Sequence, residues 1–239
     1  MKALKVISLI FCLGFVLSCE DTDKSKMAEA QSCLDKINQS QPEAALATAA
    51  QACVDLLGSA SSSQASIIRC SGQFLINGIT TSKILDAFQT AEGAGASSSA
   101  GMMMSIAVTS STDTDTNKAR AKAALDTCSS SGVSGLIWLA GLSNVGTTMV
   151  NSFLPPSCGG DPSACGDLTQ GEVDSIVTSC SGGGSSCDPA EVGASAIVMS
   201  QTYCIGSNAS SEECMEINAA VANGGGDPTA VGNYLLGNF

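Results

Sequence analysis

The stretch Val133-Ser134-Gly135-Leu136-Ile137-Trp138-Leu139-Ala140-Gly141-Leu142-Ser143-Asn144-Val145-Gly146-Thr147-Thr148-Met149-Val150-Asn151-Ser152-Phe153-Leu154 decides what kind of protein this chain makes. It is 22 residues without a charge and contains the only tryptophan, Trp138. A bilayer is crossed by about 20 apolar residues, so length alone would permit a membrane span. The content points elsewhere. Ser143, Asn144, Thr147, Thr148, Asn151 and Ser152 interrupt the run, and no basic flank follows it. In hydrocarbon every such polar group would need a partner. Gly135, Gly141 and Gly146 would let neighbouring backbones approach closely. The stretch therefore predicts a central buried helix, stopped by Pro155-Pro156.

Outward from this helix the chain reads as more helices. Apolar and small residues recur at helical spacing over Ala28 to Ile37, over Pro42 to Leu57, over Ser63 to Asn77 and over Ser82 to Ala91. Pro42 is expected in the first turn of its helix, and the short turns favour antiparallel neighbours. Gly93 to Gly101 holds only Gly, Ala and Ser, and Met102-Met103-Met104 behind it is expected to fill core. Asp113-x-Asp115-x-Asn117 opens like a calcium loop, but Lys118 and Ala124 stand where that loop needs Gly and Glu. Asp115 or Thr116 is instead expected to cap a helix running to about Cys128. Towards the C-terminus, Asp161-Pro162, Asp188-Pro189 and Asp227-Pro228 each set an N-cap acceptor before a first-turn proline. The first is the weakest, because Gly166 follows it. Ser210-x-x-Glu213 reads as a capping box. No segment alternates like a strand. The fold class expected is all-α: antiparallel helical hairpins in a bundle of about eight to ten helices, with Gly/Ser-rich corners.

Only 4% of the 239 residues are aromatic, while Ala, Ser and Gly abound, so the core must pack small side chains. Such a core buries less apolar area per residue, and disulfides are the expected compensation. Of 12 cysteines, Cys12 lies in the first apolar run and Cys19 closes it. The other ten, Cys33, Cys53, Cys70, Cys128, Cys158, Cys165, Cys180, Cys187, Cys204 and Cys214, form an even set. No metal site is assigned: there is no histidine and no Cys-x-x-Cys pair. A helix over residues 168–178 would hold Cys165 and Cys180 roughly 20 Å apart at about 1.5 Å per residue, beyond bridging distance. Local closure of Cys158 with Cys165, Cys180 with Cys187 and Cys204 with Cys214 is the simplest pairing. Cys53 with Cys70 across the turn near Ser61 would leave Cys33 for Cys128.

The N-terminus fixes the compartment. Lys2 and Lys5 precede an apolar run from Val6 to Leu17, and small Ser18 precedes Cys19. Val16-Leu17-Ser18-Cys19 resembles a lipobox, the signal at which bacteria cleave a precursor and attach lipid to the cysteine. The resemblance implies lipidation at Cys19, with more than one acyl chain and hence stable anchoring. It implies residues 1–18 as signal peptide; beyond it, 19–27 reads as a polar tether and the helical pattern gives 28–239 as a single helical domain, divisible into sub-halves 28–154 and 155–239. The location implied is the bacterial envelope, on the outer membrane or the periplasmic face of the inner one.

Net charge is −12, and it becomes more negative once Lys2 and Lys5 are removed. Nucleic acid is excluded as a partner, because phosphate binding needs a basic surface. The absence of histidine removes Ser-His-Asp and Cys-His catalysis. Carboxylate pairs remain, but Glu172 with Asp174, and Glu212 with Glu213, fall at helix starts where acids favour the macrodipole. They are read as caps, so no catalytic residue and no cofactor is assigned. No glycine-rich stretch ends in the Gly-Lys-Ser/Thr of a phosphate loop. Asn38-Gln39-Ser40 and Asn208-Ala209-Ser210 match the glycosylation sequon, which a bacterial lipoprotein would rarely use. The hairpin pattern resembles helical-repeat envelope lipoproteins at the level of fold, without the Trp-x-x-Leu-Gly-x-x-Tyr pattern of tetratricopeptide arrays. The function expected is a non-enzymatic, membrane-anchored protein that holds or presents a surface for an envelope partner. A carrier of a small apolar ligand, with Met102 to Met104 and the Val133 to Leu154 helix lining a cavity, is the alternative; a carboxylate-only enzyme ranks last.

Overall fold

The computed structural model describes residues 18–93, 98–164, 168–181 and 187–238. Among them are eleven α-helices, three 3-10 turns and no strand. The all-α expectation holds, with one helix beyond its upper bound. The helices are α1 Ser18–Asp35, α2 Glu43–Asp55, α3 Ser63–Ile76, α4 Thr81–Gly93, α5 Ser98–Ser105 and α6 Thr114–Ser129. They continue as α7 Ser134–Ser152, α8 Gln170–Ser181, α9 Pro189–Thr202, α10 Glu212–Asn223 and α11 Pro228–Leu236. Most of the expected leader, with Cys12, lies outside the described residues, as does Cys165.

Helix α7 is the buried centre, as its sequence predicts. Every residue from Ala140 to Asn151 is buried, and α3, α5, α6, α8 and α9 pack around it. Its polar residues have a specific task. Ile106, Ala107 and Val108, which follow α5, are also buried; Ala107 N turns back to Met104 O at 3.1 Å, and the remaining buried backbone must find partners. Ser143 Oγ donates to Ile106 O at 2.9 Å, Val108 N donates to Thr147 Oγ1 at 2.8 Å, and Asn151 Nδ2 donates to Val108 O at 3.1 Å. Positions 143, 147 and 151 are one turn apart, so a single face of α7 satisfies this segment. Among the described residues, no helix is long and apolar enough to cross a membrane.

The N-terminal helices α1, α2 and α3 share a small core of Leu34, Leu46, Ala50, Leu57 and Ile68. Burying one leucine in it contributes about 1.5–3 kcal/mol. The opposite face of α3 carries Cys70 and Phe74 against Leu125 and Cys128 of α6 and Ile137 of α7. The largest cluster joins Met102, Met103 and Met104 of α5 and Leu142 and Met149 of α7 to α8–α11, across the Pro155-Pro156 corner. The methionine run is core filler, as expected.

Two helix pairs owe their closeness to glycine. A Cβ on Gly146 of α7 would overlap the Met103 carbonyl. Helices α9 and α11 begin with the same pattern, Asp188-Pro189-Ala190-Glu191-Val192-Gly193 and Asp227-Pro228-Thr229-Ala230-Val231-Gly232. They pack reciprocally: a Cβ on Gly193 would overlap the Pro228 carbonyl, and one on Gly232 the Pro189 carbonyl. Val192 and Val231 are fully buried between them. Asp188 accepts from Ala190 N at 2.9 Å and Asp227 from Ala230 N at 2.8 Å, so both expected caps form. The weaker Asp161-Pro162 start yields only the 3-10 turn Pro162–Ala164.

Several boundaries differ from the sequence reading. Helix α1 spans Ser18–Asp35, so residues 19–27 are helical; Asp23, Lys24 and Ser25 are exposed and Met27 is buried. Pro42 is the N-cap of α2, lying just before its first turn. The cap of α6 is Asp113, which accepts from Asp115 N at 3.2 Å and from the Thr116 hydroxyl. This displaces Asp115 and Thr116 as caps. The hydroxyl bond leads the effects that hold Asp113 below the usual carboxylate range. The cap of α10 is Ser211, accepting from Cys214 N at 3.3 Å, one residue later than the capping box implied. Helix α4 packs mainly on α5 and does not extend the α1–α3 unit.

The disulfides confirm two local closures, Cys180–Cys187 and Cys204–Cys214. Cys158 is disulfide-bonded too, and its expected partner Cys165 lies outside the described residues. The long-range pairing is corrected: Cys33 bonds Cys53, with Cα atoms 5.4 Å apart, and Cys70 bonds Cys128, 4.7 Å apart. Cys53 and Cys70 do lie on neighbouring helices, but Cys53 faces the last turn of α1 while Cys70 faces α6. Which way a cysteine points around its helix decides the pairing.

Candidate binding groove

Five helices meet around an apolar cleft. Met102 and Met103 come from α5, Trp138, Leu142 and Val145 from α7, Met199 from α9, Ile217 from α10 and Leu235 from α11. The structure thus brings together Met102, Met103 and the α7 residues that the sequence placed on a common cavity wall. Met104 is buried in the core but lies off this wall. The inner space is about 30 Å³, one water molecule's share of liquid volume. A wider hollow of about 340 Å³ adjoins it between α10 and α11, bounded by Met215, Ala219, Tyr234 and Asn238. The two share Glu216 and Leu235 as a common wall.

The walls are held firmly. Trp138 stacks on Tyr203 with ring centroids 4.6 Å apart, a geometry that contributes about 0.5–1.5 kcal/mol beyond burial. Tyr203 ends α9 beside Cys204, whose disulfide to Cys214 fixes the start of α10. Asn218 Nδ2 donates to Cys204 O at 3.1 Å, and Ser200 Oγ donates to Asn218 Oδ1 at 2.6 Å. Helices α9 and α10 therefore present their groove faces in one fixed relation.

The rim is acidic. Glu213 and Glu216 line the cleft, and Glu212 lies one turn from Glu216. Because Ser211 caps α10, Glu213 is not engaged with Ser210 as a capping box would require. Among the described residues neither Glu213 nor Glu216 has a hydrogen bond or an ion pair. Burial, and then the neighbouring Glu212 and Glu213, hold the Glu216 carboxyl above the usual glutamate range. The sequence carries a signal for this that composition alone obscures. Every Lys and Arg lies at or before Lys122, so the last 117 residues hold eleven carboxylate side chains and no cation.

The other carboxylate pair is accounted for as helix capping. Glu172 Oε2 accepts from Thr169 N at 2.9 Å and Thr169 Oγ1 at 2.8 Å, closing a capping box at the start of α8. The Ser157 hydroxyl and then these two bonds hold Glu172 below the usual range. Asp174 accepts from Gln170 Nε2 at 2.9 Å. Glu212 and Glu213 occupy the first turn of α10, where the macrodipole favours them. Among the described residues no three His, Cys, Asp or Glu side chains gather as metal ligands.

Met199, Met215, Glu216, Ile217 and Leu235 escaped the sequence reading, because a groove assembled from five helices has no contiguous motif. Comparison with protein-family models, characterised proteins and solved structures finds no match to this chain.

Proposed function

We propose that this chain is a non-enzymatic lipoprotein of the bacterial envelope that holds a preformed binding surface for another envelope component. The observation that carries the binding role is the apolar groove with unpaired carboxylates at its rim, on helices locked by the Cys204–Cys214 bridge. Rigid walls favour recognition because little ordering entropy is lost on association. Support for anchoring comes from Val16-Leu17-Ser18-Cys19. Downstream of it, exposed Asp23, Lys24 and Ser25 precede buried Met27. Lipid on Cys19 would hold the chain to the outer membrane or to the periplasmic face of the inner one.

A photo-crosslinking residue in place of Met215, which is 54% exposed on the groove rim, tests the partner role in intact cells. A reproducible adduct from this position, absent when the same residue replaces exposed Asp55, is the expected result. No adduct from the rim, or equal adducts from both positions, would remove the partner role. The groove lining supports a second reading, a carrier for a small apolar ligand, which would have to lie mainly in the adjoining hollow of about 340 Å³, because the inner space of about 30 Å³ is far below the roughly 300 Å³ such sites occupy. Gently extracted protein that flies ligand-free in native mass spectrometry would remove the carrier.

A further inference from the structure

We infer that the groove takes a basic amphipathic segment of a partner protein: an apolar side chain in the cleft beneath Trp138, with Lys or Arg reaching Glu213 and Glu216. This rests on the partner-binding reading above and specifies the chemistry of the partner. The inner cleft offers about 30 Å³, room for the tip of one apolar side chain and not for a whole ligand. The adjoining hollow of about 340 Å³, with exposed Met215 on its edge, continues the apolar path along α10 and α11, as a segment longer than one residue would need. Charge selects the sign of that segment. Glu212, Glu213 and Glu216 crowd one face of α10, and no Lys or Arg exists after Lys122 to neutralise them. Burial and mutual repulsion already raise the Glu216 carboxyl, a cost that an arriving cation relieves. An anionic segment would add to that repulsion, and a neutral one would leave two partly desolvated carboxylates unpaired.

The only tryptophan lines the cleft, so its fluorescence reports occupancy directly. The full mature chain is returned to phosphatidylcholine vesicles, with empty vesicles as blank, and titrated with tryptophan-free helical peptides. One peptide alternates Leu and Lys faces, one replaces Lys by Gln, and one keeps Lys but replaces Leu by Ser. The Leu/Lys peptide alone is expected to shift Trp138 emission at low concentration, and the other two to bind at least about tenfold more weakly. Glu213→Gln with Glu216→Gln should weaken the Leu/Lys peptide by at least about tenfold, while Asp35→Asn with Asp55→Asn, the same change in net charge elsewhere, should leave it within about twofold. Equal effects of the two double variants would show general electrostatics and overturn the inference. So would equal binding of the Gln peptide, or a Trp138 response to dodecyltrimethylammonium but to no peptide. A chain that does not hold to vesicles fails the anchoring reading instead, and the same titration then runs in solution. A rim adduct at Met215 with no Glu213/Glu216 dependence would leave the partner role standing and refute only this segment chemistry.

Discussion

The reciprocal contact between α9 and α11 makes a prediction whose sign opposes simple helix propensity. Gly193→Ala would ordinarily stabilise a helix interior by about 1 kcal/mol. Here the added methyl would overlap the Pro228 carbonyl, a backbone atom in the first turn of α11 that cannot turn aside as a side chain can. The two helices must separate, which loosens Val192 and Val231, both fully buried at the crossing. Overpacking of this kind costs about 1–3 kcal/mol, or more where backbone must move. The net loss should be about 2 kcal/mol, or about 4–8 °C in melting temperature for a chain of this size. Gly232→Ala should behave alike, and the double variant should lose less than the two losses added, because the first methyl already parts the helices. Gly135 and Gly171 meet nothing within 4 Å where a Cβ would stand, so alanine there should be neutral or stabilising by about 0.5 kcal/mol. Urea unfolding followed by far-UV circular dichroism, under oxidising conditions, measures all five variants. A Gly193→Ala protein as stable as wild type would refute the close crossing.

Three further outcomes follow from the same reasoning. Cys70→Ser with Cys128→Ser opens a loop of 58 residues and should cost about 4 kcal/mol on the chain-entropy estimate, against about 2.4 kcal/mol for Cys180→Ser with Cys187→Ser and its separation of 7; equal losses in urea unfolding would contradict this. Asn151→Leu removes the acceptor for Asn117 Nδ2 and the donor to Val108 O, and should destabilise by about 2 kcal/mol or more in the same assay, despite its apolar surroundings. Glu172, held below the usual range, contributes stability that is present above its unfolded value and lost as pH falls through its folded one. Glu172→Gln should therefore be less stable than wild type near neutral pH and match it in acid; a gap that persists in acid would assign the loss to something other than the charge.

Much of this architecture is legible from residues, for identifiable reasons. Helix α7 is readable because recurring polar groups and the lack of a basic flank distinguish a buried protein helix from a bilayer span. Starts at Asp188 and Asp227 are readable because cap and proline both act within four residues. Pairing of Cys33, Cys53, Cys70 and Cys128 is not, because it depends on which face of α3 meets α6. The Val-Gly that follows each of the last two Asp-Pro starts has no local meaning until the two helices cross. Likewise Glu213 reads as a cap residue from its neighbours alone, and becomes part of a groove only when α5, α7 and α11 surround it. The cation-free run after Lys122 lies openly in the sequence, but its consequence depends on the carboxylates sharing an apolar rim.

The central claim, an exported, lipid-anchored and disulfide-tied helical protein, is tested most directly by intact mass of the membrane-extracted chain before and after reduction with thiol alkylation. The account predicts a chain beginning at Cys19 that carries acyl groups, with no alkylation before reduction and ten thiols after it. A chain without acyl groups, or one with free thiols before reduction, would contradict it.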